Sequence, residues 1–503
     1  MNKRRMGVLL SYANSIINMI VGLVLSTVLL RFLGDTEYGV YQTIASFANY
    51  LVLLEFGTGT VMTRNIAMAR SKNSSKDAID SNTSTIWTVT NILSFLILVV
   101  SVVFYFLIDI IYCNSLSQQQ ISHAKNIFLP IVAYLLLSFY SQTLNGVILA
   151  NEHYSYASII SIFRTVIRAA TLILILSFIK NSIVIAFTDA ALTGIIVIVT
   201  YIYCKLNFNI CLSFKKFKFS IFTNVLPLCF AIFLQSIVNQ ANNNVDKFLI
   251  GMMLSPEAVA MYSISLFIFN TFSSLTTIPI SLYGPQIVKD VASDITPDIL
   301  TETLIQPSRL IVLTGGTIVF GFISFGKQFI SLFYGASYTE AWLYAVILMI
   351  PAFINMANGV IVNVLDAMNK RHVRSFVLLG TTTLNILLTV VWLQLFGMLG
   401  AAIATAISTL LGQVIIMNIY YSKIIHIRIM YLFYNTFKGI LISQILSMIL
   451  SVLSTLLITD TWFSFIVGAI VYIVSFGAIY LLFGANNIEK QMLKKYLFRL
   501  KRK

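Results

Sequence analysis

Residues 87–112 read WTVTNILSFLILVVSVVFYFLIDIIY, a run broken by a single charge, Asp109. A helix of that length rises roughly 39 Å at ~1.5 Å per residue, more than the ~30 Å hydrocarbon core of a bilayer. In lipid every backbone N–H and C=O must be satisfied within the structure, so a run of this kind folds as a helix. The pattern recurs along the chain. Spans are expected at residues 8–32, 38–63, 83–111, 124–149, 155–178, 182–206, 222–250, 257–283, 308–326, 341–366, 374–396, 399–421, 435–458 and 462–484. With 58% hydrophobic residues, 10% charged residues and a mean hydropathy of +0.89, a soluble core of this size is excluded. The expected fold class is therefore all-α, an integral membrane protein of about 14 transmembrane helices. Segment 284–307, which holds prolines and most of the local acids, reads as the loop between spans eight and nine. No loop exceeds about 25 residues, which leaves no extramembrane domain to carry an active site; an enzyme is not expected.

Charge supplies an orientation. With the N-terminus inside, 26 of the 33 Lys and Arg residues fall on inner segments. Only Arg31, Lys125, Lys180 and Lys327 fall outside, and Arg164, Arg168 and Lys247 lie within spans. Cytoplasmic loops retain Lys and Arg, so this bias predicts an even number of spans with both termini cytoplasmic. It also accounts for the net charge of +15 without nucleic acid. The basic tail KKYLFRLKRK reads as a topology signal lying on anionic headgroups. The four cysteines form no disulfide framework and no metal spacing, and no cofactor is implied. The first apolar segment lacks a small-residue cleavage motif and is too long for a signal peptide, so it is expected to remain as a span.

The chain also repeats itself. NGVILA at 145–150 is matched by NGVIVN at 358–363. LGDTEYGVYQTIASF at 33–47 resembles LSPEAVAMYSISLF at 254–267, and YIYCK at 201–205 resembles IYYSK at 419–423. Six spans separate the members of each pair, so the copies share one orientation. The expected organisation is two pseudo-symmetric six-helix lobes about an axis along the membrane normal, with a cavity between them. The N-lobe takes residues 1–206 and a basic linker 207–221. The C-lobe takes 222–423, an added helix pair 424–484, and a basic cytoplasmic tail 485–503.

Polar side chains at membrane depth need a reason. Arg164 and Arg168, in SYASIISIFRTVIRAATLILILSF, lie one helical turn apart on one face of span five. An arginine near mid-bilayer costs roughly 2.5–3.5 kcal/mol on the mildest scale. Arg164 either snorkels to the inner surface or faces a cavity. Arg168 either makes a structural ion pair with Glu55 or Asp189, or forms a cationic wall that meets a phosphate, for which its planar fork is suited. Glu55 in span two and Asp189 in span six are candidates for counter-ion or for carrying a coupling proton or sodium ion. In span seven, Gln235, Asn239, Asn243, Asp246 and Lys247 recur at three- and four-residue steps and form one stripe. Such a stripe is either interhelical glue or a set of hydrogen-bonding groups for sugar hydroxyls. Lys247 is expected to pair with Asp246 or to reach the outer interface. Glycines such as Gly57, Gly59, Gly146 and Gly359 read as packing and hinge positions.

LLRFLGDTEYGVYQTIASFANYLVLLEFGTGTVMTRNIA (29–67), NGVILANEHY in span four, VDKFLIGMMLSPEAVAMYSIS at the seven-to-eight junction and the late FGMLGAAIATAIS together resemble a known family. It is that of the bacterial polysaccharide and oligosaccharide flippases, within the multidrug/oligosaccharidyl-lipid/polysaccharide exporter superfamily. The resemblance covers nearly the whole chain. It implies transfer of an undecaprenyl-pyrophosphate-linked repeat unit from the inner to the outer leaflet by two rocking lobes, for O-antigen or capsule synthesis. It further implies membrane lipids and polysaccharide polymerase machinery as partners. The family places cationic side chains in its cavity, in keeping with Arg164 and Arg168. Span one carries no Lys or Arg between Arg5 and Arg31, a departure from lipid II flippases. Outward movement of an anion down an inside-negative potential is favourable, so proton or sodium coupling is allowed but not demanded. Two alternatives remain: a drug–cation antiporter of the same superfamily, which wants acidic cavities, and a membrane glycan polymerase or glycosyltransferase, which wants a large loop domain.

Overall fold

A computed structural model describes residues 3–72, 75–293, 295–368, 370–455, 461–487 and 489–491. Among these residues the regular structure is helical, and fourteen helices are long and apolar enough to cross a membrane. The chain is a multi-pass membrane protein of the expected all-α class. It divides into two compact units, Met1–Ala260 and Met261–Lys503.

The first unit contains α1 (Lys3–Leu33), α2 (Asp35–Ala48), α3 (Thr58–Ser71), α4 (Lys76–Tyr112), α5 (Gln118–Ala150), α6 (Tyr154–Phe178), α7 (Ile183–Phe208) and α8 (Phe219–Met253). Helix starts follow local chemistry. Ser117 and Gln120 form a reciprocal capping box at the head of α5, satisfying two donors that the helix end would leave open. Apolar side chains of α2, α4 and α5 meet in a core that includes Phe47, Tyr112, Phe128 and Phe139. Phe248 of α8 stacks on Phe47 at 6.0 Å between ring centres. Glu37 accepts from the Ser182 N–H at 2.8 Å and contacts His123 Nε2 at 2.7 Å, joining the heads of α2, α5 and α7.

Span two is not one continuous helix. Residues Asn49–Glu55 wind as a 3-10 turn, and Phe56 and Gly57 then take left-handed φ values of 52° and 67° before α3 begins. Gly57 is required twice over: its φ disfavours a side chain, and a Cβ would lie 2.4 Å from Ile232 of α8. Immediately beyond, α3 crosses α5 at backbone contact. A Cβ on Gly146 would stand 2.4 Å from the Gly59 carbonyl oxygen. Thr143 bridges Thr58 and Thr90 at 3.0 Å each, so hydroxyls tie α3, α4 and α5 at the same level.

The second unit takes the remainder of α9 (Pro256–Ala292), then α10 (Pro297–Phe333), α11 (Ala341–Met356), α12 (Ile361–Ala367), α13 (Arg371–Phe396), α14 (Met398–Thr409), α15 (Met417–Ile424), α16 (Ile429–Phe437), α17 (Ile440–Thr455) and α18 (Trp462–Ile479). The expected loop 284–307 is largely helix. α9 runs to Ala292, and Thr296 caps α10 with Pro297 as its first helical residue. Proline there loses no needed donor and presets φ, which is why its presence did not end the helix. Span ten, like span two, is interrupted: residues 357–360 form turns between α11 and α12. A π-helical stretch, Leu410–Ile416, joins α14 to α15.

Arg309, read in the sequence as one more inner-side cation, is instead 4% exposed on α10. It donates to the carbonyl oxygens of Asn435, Lys438 and Gly484 at 2.7, 3.0 and 2.9 Å, and to both oxygens of Glu489 at 2.8 and 3.1 Å. The guanidinium thus ties the start of span thirteen and the end of span fourteen to α10. Most of the basic tail (492–503) lies outside the described residues.

Candidate functional site

The site is built on α5, α6 and α7. α6 packs along α1, and α5 packs along α7. Arg168 lies ~21 Å along α6 from Tyr154 and ~15 Å from Phe178, at a 1.5 Å rise per residue, hence near mid-membrane. Asp189 of α7 meets it there. Arg168 donates through Nε and Nη2 to the two carboxylate oxygens, the Nη2 bond being 2.9 Å. This is a bidentate fork, the strongest hydrogen-bonded form of such a pair. Of the two carboxylates considered in the sequence, the pair takes Asp189 and leaves Glu55 elsewhere.

Arg164, one turn away, has a different environment. Its Nη2 donates to Thr193 Oγ1 at 3.1 Å, and its guanidinium carbon stands 5.7 Å from the centre of the Tyr134 ring. No carboxylate among the described residues pairs with it. Thr193 in turn donates to the Asp189 carbonyl at 2.6 Å, so one turn of α7 holds both arginines. On the other side, Thr165 donates to Asn18 of α1.

Arg164 forms part of the wall of a cleft of about 200 Å³ between α5, α6 and α7. Its polar lining comes from Ser141, Gln142 and Asn145 of α5, Ser161 of α6 and Thr200 of α7. Gln142 also donates to Glu55 Oε2 at 2.9 Å. Glu55, 8% exposed, therefore sits where span two breaks and is joined to the cleft through one amide. The arrangement offers one cation without a carboxylate, several amides and hydroxyls, and a carboxylate one hydrogen bond behind them. That set binds an oxyanion and hydroxyl groups; among the described residues no group of His, Cys, Asp and Glu is placed to hold a metal.

The span-seven stripe is placed differently. α8 packs against α2, α4 and the 3-10 turn of span two. Asp246 is 4% exposed there. Lys247 makes no ion pair with it or with any other described residue, because the two neighbours project from adjacent positions about 100° apart around the helix. The side chains of Asn239 and Asn243 lie outside the described residues. No described hydrogen bond joins Gln235, Asp246 or Lys247 to the Arg164 cleft.

Sequence reasoning passed over Gln142, Asn145, Ser161 and Thr200 as site residues. The signal was present: Ser138, Gln142 and Asn145 recur at three- and four-residue steps in an otherwise apolar span. Their short side chains are also tolerated as interhelical packing, so they stood out less than arginine.

Comparison with known proteins follows the same lines. A family model described as "Polysaccharide biosynthesis protein" matches residues 5–288. No curated protein sequence matches the chain significantly. Among solved structures, the lipid II flippase MurJ in an inward closed conformation superposes with a TM-score of 0.72 at 16% identity, over 94% of this chain and 98% of that one. An inward-facing multidrug resistance MATE family transporter of the MOP superfamily superposes with a TM-score of 0.57 at 14% identity, over 79% of this chain and 92% of that one. At such identities the likeness establishes a common fold. With the family model covering more than half of the sequence, the chain belongs to the polysaccharide biosynthesis protein family and has the fold of the MOP-superfamily transporters.

Proposed function

We propose that this protein is a flippase that carries undecaprenyl-pyrophosphate-linked oligosaccharide repeat units from the inner to the outer leaflet of the bacterial cytoplasmic membrane, for O-antigen or capsule synthesis. The observation that carries the reading is Arg164: a mid-membrane guanidinium with no carboxylate partner among the described residues, on the wall of an amide- and hydroxyl-lined cleft. An arginine is kept at that depth only when something offsets its desolvation. A pyrophosphate arriving from the inner leaflet supplies the missing counter-charge, and the guanidinium fork takes two of its oxygens.

In this mechanism Arg168 and Asp189 form a neutral strut that holds α6 against α7 and aims Arg164. The first sugars hydrogen-bond to Gln142, Asn145 and Thr200, while the polyprenyl tail stays in lipid. The α8 residues Gln235, Asn239, Asn243, Asp246 and Lys247 serve the distal sugars in this reading. Moving the headgroup outward across an inside-negative membrane is favourable by ~2.3 kcal/mol per charge per 100 mV. Glu55, one amide from the cleft, is positioned to respond to the headgroup and to take up a coupling proton or sodium ion. Release outward passes the repeat unit to polymerase machinery.

The test is the lipid-linked glycan content of cells lacking this gene, complemented with wild type or Arg164→Gln at matched membrane levels. The expected outcome is accumulation of undecaprenyl-linked units on the inner face that wild type clears and Arg164→Gln does not. Equal clearance by Arg164→Gln removes the phosphate role. Unchanged intermediates in the deletion, with surface polysaccharide intact, remove the flippase reading in favour of a drug–cation antiporter on the same fold.

A further inference from the structure

The Arg164 cleft has a counterpart in the second unit. Gln142, Asn145, Ser161, Arg164 and Thr200 line the first cleft. Asn355, Asn358, Arg374, Val377 and Gln413 line a second one, enclosed by α11, the turns after it, α13 and the π-helical stretch. Each member of the second set lies 213 residues beyond its partner in the first. That is the offset relating NGVILA to NGVIVN, so the internal repeat of the sequence carries the cleft with it. The lining chemistry is kept rather than the individual side chains. The carboxamides Gln142 and Asn145 correspond to the carboxamides Asn355 and Asn358, and the Thr200 hydroxyl is replaced by Gln413. The arginine has moved by three residues, from the position of Val377 to that of Arg374. Three residues on a helix keep the same face and shift the group by about one turn.

One buried polar atom of the second cleft is unsatisfied within the protein. Asn358 is 2% exposed, and its Oδ1 has no hydrogen-bond partner; its Nδ2 reaches Asn355 Oδ1 only at 3.5 Å. A buried amide left in this state costs about 1–3 kcal/mol. Asn355 donates to Gln413 Oε1 at 3.1 Å, which fixes the remaining amides around the opening. Asn358 and Arg374 both line the cleft. The volume, about 40 Å³, is too small for a sugar ring and accommodates a few water-sized groups. One phosphoryl group, with oxygens of that size and a charge opposite to Arg374, fits both limits.

We propose that the Arg374 cleft is a second oxyanion site, binding a single phosphoryl group in the second repeat as the Arg164 cleft does in the first. The proposal rests on the reading of the Arg164 cleft as an anion site. The phosphoryl group comes either from a phosphate-bearing substrate or from a phospholipid headgroup, since both present the same oxygens.

The experiment is a calorimetric titration of inorganic pyrophosphate into the full-length protein in maltoside detergent micelles, which carry no phosphate. Wild type is expected to bind two equivalents, and Arg164→Gln and Arg374→Gln one each. Gln413→Met, which keeps the side-chain volume and removes the amide, is expected to weaken the Arg374-dependent equivalent about tenfold. Wild-type stoichiometry for Arg374→Gln overturns the second site, whatever Arg164→Gln does. Wild-type stoichiometry for Arg164→Gln alone overturns the first site and leaves Arg374 as the anion-binding residue. If Arg374→Gln does not fold, unchanged affinity in Gln413→Met overturns the proposal. Repeating the titration in phosphatidylglycerol nanodiscs separates the sources: a phospholipid occupant removes the Arg374-dependent equivalent there, and a substrate phosphate leaves it in place.

Discussion

At the scale of residues, two arginines one turn apart have been given different work by their neighbours. Arg168 is compensated by Asp189, whereas Arg164 meets a hydroxyl and an aromatic face. Arg168→Gln strands a mostly buried carboxylate and is expected to destabilise the protein by about 3 kcal/mol, the low end for removing one partner of a buried pair. Adding Asp189→Asn to Arg168→Gln is expected to restore most of that loss, because amide against amide leaves no uncompensated charge. Thermal unfolding of the four proteins in one detergent checks both statements. Arg164→Gln is expected to leave the unfolding midpoint near wild type while abolishing transport. A midpoint loss as large as that of Arg168→Gln would make Arg164 structural as well. In sequence the two arginines differed only by depth, since spacing gives their common face but not which side chains the neighbouring helices bring.

Among elements, the clearest case is the Arg309 clamp. Burial raises the Glu489 carboxyl, but the Arg309 guanidinium, the Asn486 N–H and Tyr480 outweigh it and hold Glu489 below its ordinary value of 4.5. A depressed carboxylate stabilises the folded state above its unfolded pKa and loses that contribution as pH falls through the folded one. The clamp is therefore expected to be complete at neutral pH and to weaken only below about pH 4.5, near the ordinary carboxylate value. The midpoint of wild type should fall more steeply than that of Glu489→Gln over that range, and parallel profiles would show that the carboxylate does not hold the clamp. The α3–α5 crossing gives a second expectation. Gly146→Leu forces two backbones apart, since even a Cβ would meet the Gly59 carbonyl at 2.4 Å. Overpacking of this kind costs about 1–3 kcal/mol or more, read as a lower unfolding midpoint or loss of folded protein from the membrane.

For the whole molecule, the orientation proposed from charge is open to direct labelling. Cys113 is exposed at the end of α4, whereas Cys204 and Cys229 are buried. With the N-terminus inside, Cys113 faces outward. A membrane-impermeant maleimide is expected to label it in spheroplasts and not in sealed inside-out vesicles; the reverse pattern would invert the topology. With Cys211, the partly exposed thiol, replaced by Ser throughout, labelling should disappear with Cys113→Ser in either preparation.

The number of spans and the all-α class followed from sequence because the bilayer imposes them locally: about 20 apolar residues, helical, wherever the backbone has no water to bond. The presence of a polar site also followed, because arginine at mid-span is costly enough to stand out against any apolar background. What the tertiary structure alone decided were choices between near-equal partners and small backbone departures. It selected Asp189 over Glu55 for Arg168, interrupted spans two and ten at Phe56–Gly57 and residues 357–360, and buried Arg309 among carbonyl oxygens supplied by two distant segments. These depend on which helix faces meet, a non-local outcome of packing that hydropathy and periodicity do not encode.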